Sequence, residues 1–158
     1  MMSSTKSGSK SSDRATDGVS QRLSPATDEG SPRPSRVILQ GPSRAPARAM
    51  LRAVGLEDGG FDKPLIGVAN TWSETSPGHH HLRGLAEAVK AGIWQAGGTP
   101  FEFSSFAQCP VAGTDLGHHF DTPTRDIVAA AVEACTELHL FDGLVLISSC
   151  DKNIPAHL

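Results

Sequence analysis

The sequence predicts an α/β fold, a parallel sheet flanked by helices. A disordered, Ser-rich N-terminal tail is expected over residues 1–34 and the folded part over 35–158. Three observations predict this. Short apolar runs stop abruptly at polar residues, as buried parallel strands do. Segments with helical spacing of apolar residues alternate with those runs, which implies right-handed crossovers and helices on both sheet faces. The last run is followed only by Pro155-Ala156-His157-Leu158, which has the look of a first helical turn. The fold is therefore expected to be the incomplete N-terminal part of a larger domain, with apolar sheet surface left uncovered and a tendency to aggregate or oligomerise.

Composition bounds what the protein can do. The chain has 158 residues, formal net charge −3 and 38% hydrophobic residues. Residues 1–34 carry too few apolar groups to offset an ordering entropy of roughly 1–2 kcal/mol per residue. They contain no apolar core of signal-peptide type, and Asp13, Asp17, Asp28 and Glu29 argue against a transit peptide. No stretch approaches the ~20 apolar residues that cross a bilayer. The near-neutral charge gives no electrostatic case for a nucleic acid or membrane partner. Three widely spaced cysteines fit a reducing, cytoplasmic setting better than a disulfide framework. No internal repeat is present.

The elements follow in order. Residues 41–54 read as a short helix stopped by Gly55, with Arg44, Arg48 and Arg52 on one face. A solvated charged face and an anchor for an anionic substrate or partner subunit both fit that stripe. Lys63–Thr71 is a strand ending in Asn70-Thr71, followed by a loop that reaches His79-His80-His81. A helix from about His80 to Ala96 places Leu82, Leu85, Ala86, Val89, Ile93 and Ala96 on a buried face, and Gly97-Gly98 ends it. A second strand starts at Thr99, and the loop from Cys109 to His119 is rich in Gly, Pro and His. Thr122-Pro123 reads as an N-cap and first helical residue. The helix it opens carries Ile127, Val128, Ala131, Cys135 and Leu138 on one face, so Cys135 is expected in the core. The third strand, around Leu144–Ile147, ends in Ser148-Ser149-Cys150-Asp151-Lys152. Three strand ends should then gather on one sheet edge, where ligands of open α/β sheets bind.

The reactive side chains concentrate there. Cys150 is a soft ligand suited to zinc or an iron–sulfur cluster, and Asp151 is a hard one suited to magnesium or manganese. Glu74 and Asp115 lie in the other two loops and could serve a magnesium ion or act as a base. His79, His80, His81, His118 and His119 lack the spacing of a zinc site, and solvated loop histidines are the expected state.

With these residues in place, the chain resembles the N-terminal portion of the dihydroxy-acid dehydratase and phosphogluconate dehydratase family. The resemblance rests on Gln40–Ala45 with Met50–Ala53, on Ile66–Trp72, on His81–Arg83 through Ala96–Phe103, and on Phe141–Leu146 ending in Cys150-Asp151-Lys152. It implies a hydro-lyase that removes water from a 2,3-dihydroxy acid to give a 2-keto acid, as in branched-chain amino-acid biosynthesis. It also implies an iron–sulfur cluster, of two-iron or four-iron type, and Mg²⁺. Carried over, Cys150 is a cluster ligand, Asp151 a magnesium ligand and Lys152 a further ligand if carbamylated.

Two departures stand out. The family's cluster cysteine follows a proline in the first loop, where this chain has Pro77-Gly78. His79 or His80 is a conceivable substitute. The family's magnesium-binding aspartate lies early in the 109–120 loop, near Pro110, so Asp115 serves only if that loop is shifted, and Cys109 is a conceivable displaced ligand. A third cluster cysteine, another acidic ligand and the proton-abstracting serine lie beyond residue 158 in the family, so no catalytic residue is assigned in this chain. The resemblance further implies a small-molecule substrate and a homodimer or homo-oligomer in full-length form. Alternative readings are a sugar-acid (aldonate) dehydratase, a non-catalytic truncated homologue acting as a binding or oligomerisation module, and an independent His-rich metal-binding domain.

Overall fold

The computed structural model describes residues 33–110 and 113–158. The expected tail, up to residue 32, lies outside the described residues, as do Val111 and Ala112 of the third loop.

Two short helices open the fold, α1 (Arg36–Leu39) and, after a 3-10 turn at Pro42–Arg44, α2 (Ala45–Ala53). Then follow β1 (Leu65–Asn70), α3 (Leu82–Gln95), β2 (Thr99–Ser104), the single turn α4 (Thr114–Gly117), α5 (Thr124–His139), β3 (Gly143–Ile147) and α6 (Asn153–His157). The three strands form one parallel sheet in the order β2-β1-β3. The predicted α/β class and parallel pairing are therefore observed.

The central strand explains the sheet's two faces. Side chains alternate along a strand, so Val68 points to one side and Ala69 to the other. Val68 packs with Ile147 against Leu82 and Ala86 of α3. Ala69 packs against Val128 and Val132 of α5 and Ala156 of α6, with Phe103, Leu144 and Leu146 alongside. Helices cover both faces, as the alternation predicts. Gly67 sits mid-strand because the Phe141 ring lies over it, and a Cβ there would come within 2.6 Å of that ring. Gly97, at φ +85°, ends α3, and the Gly98 N–H donates to the Ile93 carbonyl at 2.9 Å.

Three sequence expectations need correction. In α3, Leu82 and Ala86 are buried, but Leu85 is 47% exposed. In α5 the buried positions are Val128, Val132 and Thr136, whereas Ile127 and Leu138 are 62% and 77% exposed. The core face is thus rotated from the predicted one, and Cys135 lies at its half-buried margin. Finally, α5 begins at Thr124 rather than after a Thr122 cap, and the Thr124 hydroxyl donates to the Phe120 carbonyl at 2.7 Å.

The Arg stripe of α2 divides. Arg48 donates to the Leu39 and Gly41 carbonyls at 2.8 and 2.9 Å, tying α1 to α2, and Arg52 pairs with Asp58. At the opposite end of the sheet from the strand-end loops, Asp142 accepts from the Ser35 N–H and hydroxyl at 3.0 and 2.6 Å and from the Leu65 N–H at 2.8 Å. It fastens the chain entering the fold to the starts of β1 and β3. Among the described residues, no helix is long and apolar enough to cross a membrane.

Candidate active site at the strand ends

The carboxyl ends of the strands meet because the sheet is parallel and in register, with Asn70 opposite both Ser104 and Ile147. The Thr71 N–H donates to the Ile147 carbonyl and the Ser105 N–H to the Asn70 carbonyl, at 3.1 and 2.8 Å, so pairing continues into the loops. Three loops are brought to one edge, as the sequence predicts.

Each loop is pinned from beneath. The Asn70 side chain accepts from the Trp72 N–H at 3.0 Å and donates to Glu102 at 2.8 Å. Burial works against the Glu102 carboxylate, but hydrogen bonds from Asn70 and Lys90 hold its pKa below the ordinary value. Arg83 lies over the Trp72 ring at 3.6 Å. Asn153, fully buried at the start of α6, accepts from the Gln108 N–H and donates to the Phe106 carbonyl, at 2.7 and 2.8 Å. It clamps the second loop to the third.

The soft part of the site centres on Cys150. Its φ of +67° is a left-handed conformation that few side-chain-bearing residues adopt. This turn directs the thiol at Gly78, where a Cβ would stand 3.1 Å from Cys150 Sγ. Burial first, and then the neighbouring Cys109, pushes the Cys150 pKa above its ordinary value. Cys150 is thus a neutral thiol in this arrangement. Sequence reasoning placed Cys109 near the site, and the structure puts it against Cys150.

The hard part lies beside it. Lys152 Nζ stands 3.2 Å from Asp151 Oδ2 and 3.4 Å from Asp121 Oδ2. Hydrogen bonds to Asp151 and then Asp121 raise the Lys152 pKa, and Lys152 in turn lowers that of Asp151. Asp121 is buried, with Oδ1 unpartnered among the described residues, and His118 Nδ1 lies 3.9 Å from its Oδ2. A cavity of about 170 Å³ opens here, lined by Asp121, Asp151, Lys152, Cys109, Pro110, His118 and Gln108. Asp115 and Glu74 are both solvent-exposed. Asp121 was missed in the sequence, where Phe-Asp-Thr-Pro marks only a helix start.

A larger pocket of about 600 Å³ adjoins this cavity, sharing Gln108, Cys109, Pro110 and Asp121, with Trp72, Ser104 and Ser105 on its walls. Behind Ser105 lies a histidine pair. The Ser105 hydroxyl is 2.9 Å from His157 Nε2, and Thr71 Oγ1 is 2.9 Å from His79 Nδ1. His79 is fully buried, contrary to the expectation of solvated loop histidines, while His80, His81, His118 and His119 are exposed. Thr71 turns one imidazole of the three inward. Burial lowers the pKa of both His79 and His157 below 6.5, and proximity to His79 lowers that of His157 further.

Comparison with known proteins shows which family the chain belongs to. Residues 63–158 match the family model of the dihydroxy-acid/6-phosphogluconate dehydratase N-terminal region. The chain belongs to this family. It is 46% identical over 127 residues to a dihydroxy-acid dehydratase of Methanosarcina barkeri, 52% over 124 to one of Methanobrevibacter smithii and 49% over 125 to one of Pyrococcus furiosus. These alignments cover 77–78% of this chain but 22–23% of each relative, so the chain spans about a quarter of their length.

The donor set separates the two cofactors the family implies. The smaller cavity, lined by Asp121 and Asp151, has the oxygen donors that suit a hard divalent cation. An iron–sulfur cluster does not fit the described residues by themselves. They offer two thiols, Cys109 and Cys150, with a side-chain-less glycine in the third direction. Among the described residues, no group of three or more His, Cys, Asp or Glu side chains is placed to hold a metal.

Proposed function

We propose that the protein carrying this chain dehydrates a 2,3-dihydroxy acid to the corresponding 2-keto acid. The observation that supports this most is the Cys150-Asp151-Lys152 turn. It is held at the strand-end edge beside a substrate-sized pocket, in a chain about half identical to proteins named dihydroxy-acid dehydratase.

In this reading Asp151, together with Lys152 if that lysine is carbamylated, would hold magnesium. Held there, such an ion would supply positive charge to the anionic substrate. The chain's own side chains then orient the rest of the acid. Trp72 and Phe106 give the larger pocket an apolar wall, and the Ser104 and Ser105 hydroxyls are available to substrate hydroxyls. Neutral His157 fixes the Ser105 rotamer by hydrogen bonding from behind. Proton abstraction at C2 is assigned to no residue of this chain.

Gly78 favours a second reading, a non-catalytic homologue that keeps the fold and loses the chemistry. A sugar-acid substrate is the alternative within the enzymatic reading. The test is anaerobic purification of the full-length protein, followed by assay with 2,3-dihydroxyisovalerate and with a panel of aldonates. Formation of a 2-keto acid, lost in Asp151→Asn, is expected. No keto acid from any of them, together with no retained iron or sulfide, supports the non-catalytic reading and overturns the first.

A further inference from the structure

We propose that Ser105 and His157 form a proton-transfer couple on the wall of the larger pocket, which interconverts a bound 2-keto acid and its enol. This deepens the dehydratase reading and rests on it for the class of acid. The proton transfer itself needs no dehydration.

The starting observation is a hydroxyl with a base behind it. Ser105 lines the pocket of about 600 Å³, and its hydroxyl lies 2.9 Å from His157 Nε2. Of the hydroxyls on that wall among the described residues, it is the one bonded to an imidazole. Ser73 and Thr75 bond to each other, and Thr124 donates to backbone carbonyls. Both members of the couple are fixed by the framework. The Ser105 N–H donates to the Asn70 carbonyl at 2.8 Å, and His157 ends α6, whose Asn153 and Ala156 are buried. Fixed geometry is what proton transfer needs, because the groups must stay at hydrogen-bond distance.

The imidazole has the character of an acceptor that returns what it takes. Burial first, and then the neighbouring His79, keep the His157 pKa below 6.5, so the ring rests neutral near pH 7. Its Nδ1 has no partner among the described residues, so no carboxylate there holds the ring as a permanent cation. With the ring proton on Nδ1, Nε2 accepts from the Ser105 hydroxyl. The step then balances without an outside reactant. The enol O–H gives its proton to Ser105 Oγ as the Ser105 proton moves to His157 Nε2. The O–H electron pair becomes the second bond of the C2 carbonyl. The pair of the C2–C3 double bond then takes the proton back at C3, through the same two residues. The oxygen and C3 flank a single carbon, so one hydroxyl serves both.

The test runs the step backwards. Full-length protein and the keto acid of 2,3-dihydroxyisovalerate are mixed in deuterium oxide with Mg²⁺, and loss of the C3 proton signal is followed by nuclear magnetic resonance. Exchange faster than in buffer is expected. Ser105→Ala and His157→Gln should each slow it by about 100-fold or more, the contribution of a positioned acid–base group. Glutamine still hydrogen-bonds to Ser105 but carries no proton, so a merely structural His157 would leave exchange in His157→Gln at the wild-type rate. Ser105→Thr keeps the hydroxyl and should retain most of the exchange, and His119→Gln, at an exposed histidine, should change nothing. Circular dichroism establishes that each variant is folded; if His157→Gln fails to fold, Ser105→Ala against Ser105→Thr decides. Wild-type exchange no faster than buffer overturns the proposal. So does a wild-type rate in folded His157→Gln or Ser105→Ala, or equal loss in Ser105→Ala and Ser105→Thr. Dehydration of 2,3-dihydroxyisovalerate with only buffer-level exchange removes the couple and leaves the dehydratase reading; exchange without dehydration does the reverse.

Discussion

Gly78 and Cys150 meet at the position where the family resemblance leads one to expect a further cysteine. The contact predicts what a substitution there should do. Gly78→Cys would place a third thiol beside Cys150 and Cys109, since the Cβ direction points at Cys150 Sγ. After anaerobic reconstitution, the variant of the full-length protein should retain more iron and sulfide than wild type; equal retention would show that the glycine is not what limits cluster binding. In the wild type, the neighbouring Cys109 and Cys150 thiols predict a disulfide on mild peroxide treatment, seen as the loss of two hydrogens in the mass of a peptide pair. Cys150 should alkylate slowly at neutral pH and faster only well into the alkaline range, because its folded form favours the protonated thiol. At this scale the sequence was partly legible. The Cys-Asp-Lys run is contiguous and needs no tertiary knowledge to be noticed. Asp121 reaches it only because Gln108 and Thr124 hold the far end of the loop, and no local pattern encodes that.

At the scale of elements, apolar spacing located every strand and both long helices, but it set the phase of α5 wrongly. Alanines at 129, 130, 131 and 134 make that helix small and weakly apolar most of the way round, so Ile127 and Leu138 compete with Val128 and Val132 as the core stripe. The sheet decides, because Val128 and Val132 fit beside the small Ala69. The histidine run was ambiguous in the same way, until Thr71 turned His79 inward. Two predictions belong here. Leu82→Ala should cost about 2–5 kcal/mol in the denaturation of the full-length protein, because it empties the contact between α3 and the Val68 face. Ile127→Ala should have little effect. Asp142→Ala should cost at least about 2 kcal/mol and speed proteolysis before Leu65, since one carboxylate accepts three hydrogen bonds there.

For the whole molecule, the parallel sheet turns three loops that are distant in sequence into one edge, and that edge carries both the smaller cavity beside Asp121 and the larger pocket. The two buried histidines behind it tie folding to pH. Both have folded pKa values lowered by burial, so the unfolded chain binds more protons below about pH 6.5. Stability should be complete above 6.5 and fall as pH drops through the lowered folded values. A denaturant midpoint that stays flat from pH 7.5 to 5 would contradict this. The proposed reaction offers the most direct measurement. Dehydration takes the C2 proton and the C3 hydroxyl, and the enol that results takes a proton from solvent at C3. Full-length protein turning over 2,3-dihydroxyisovalerate in deuterium oxide with Mg²⁺ should therefore give a keto acid carrying one deuterium at C3. A keto acid with no solvent deuterium at C3, or no keto acid at all, would contradict the account.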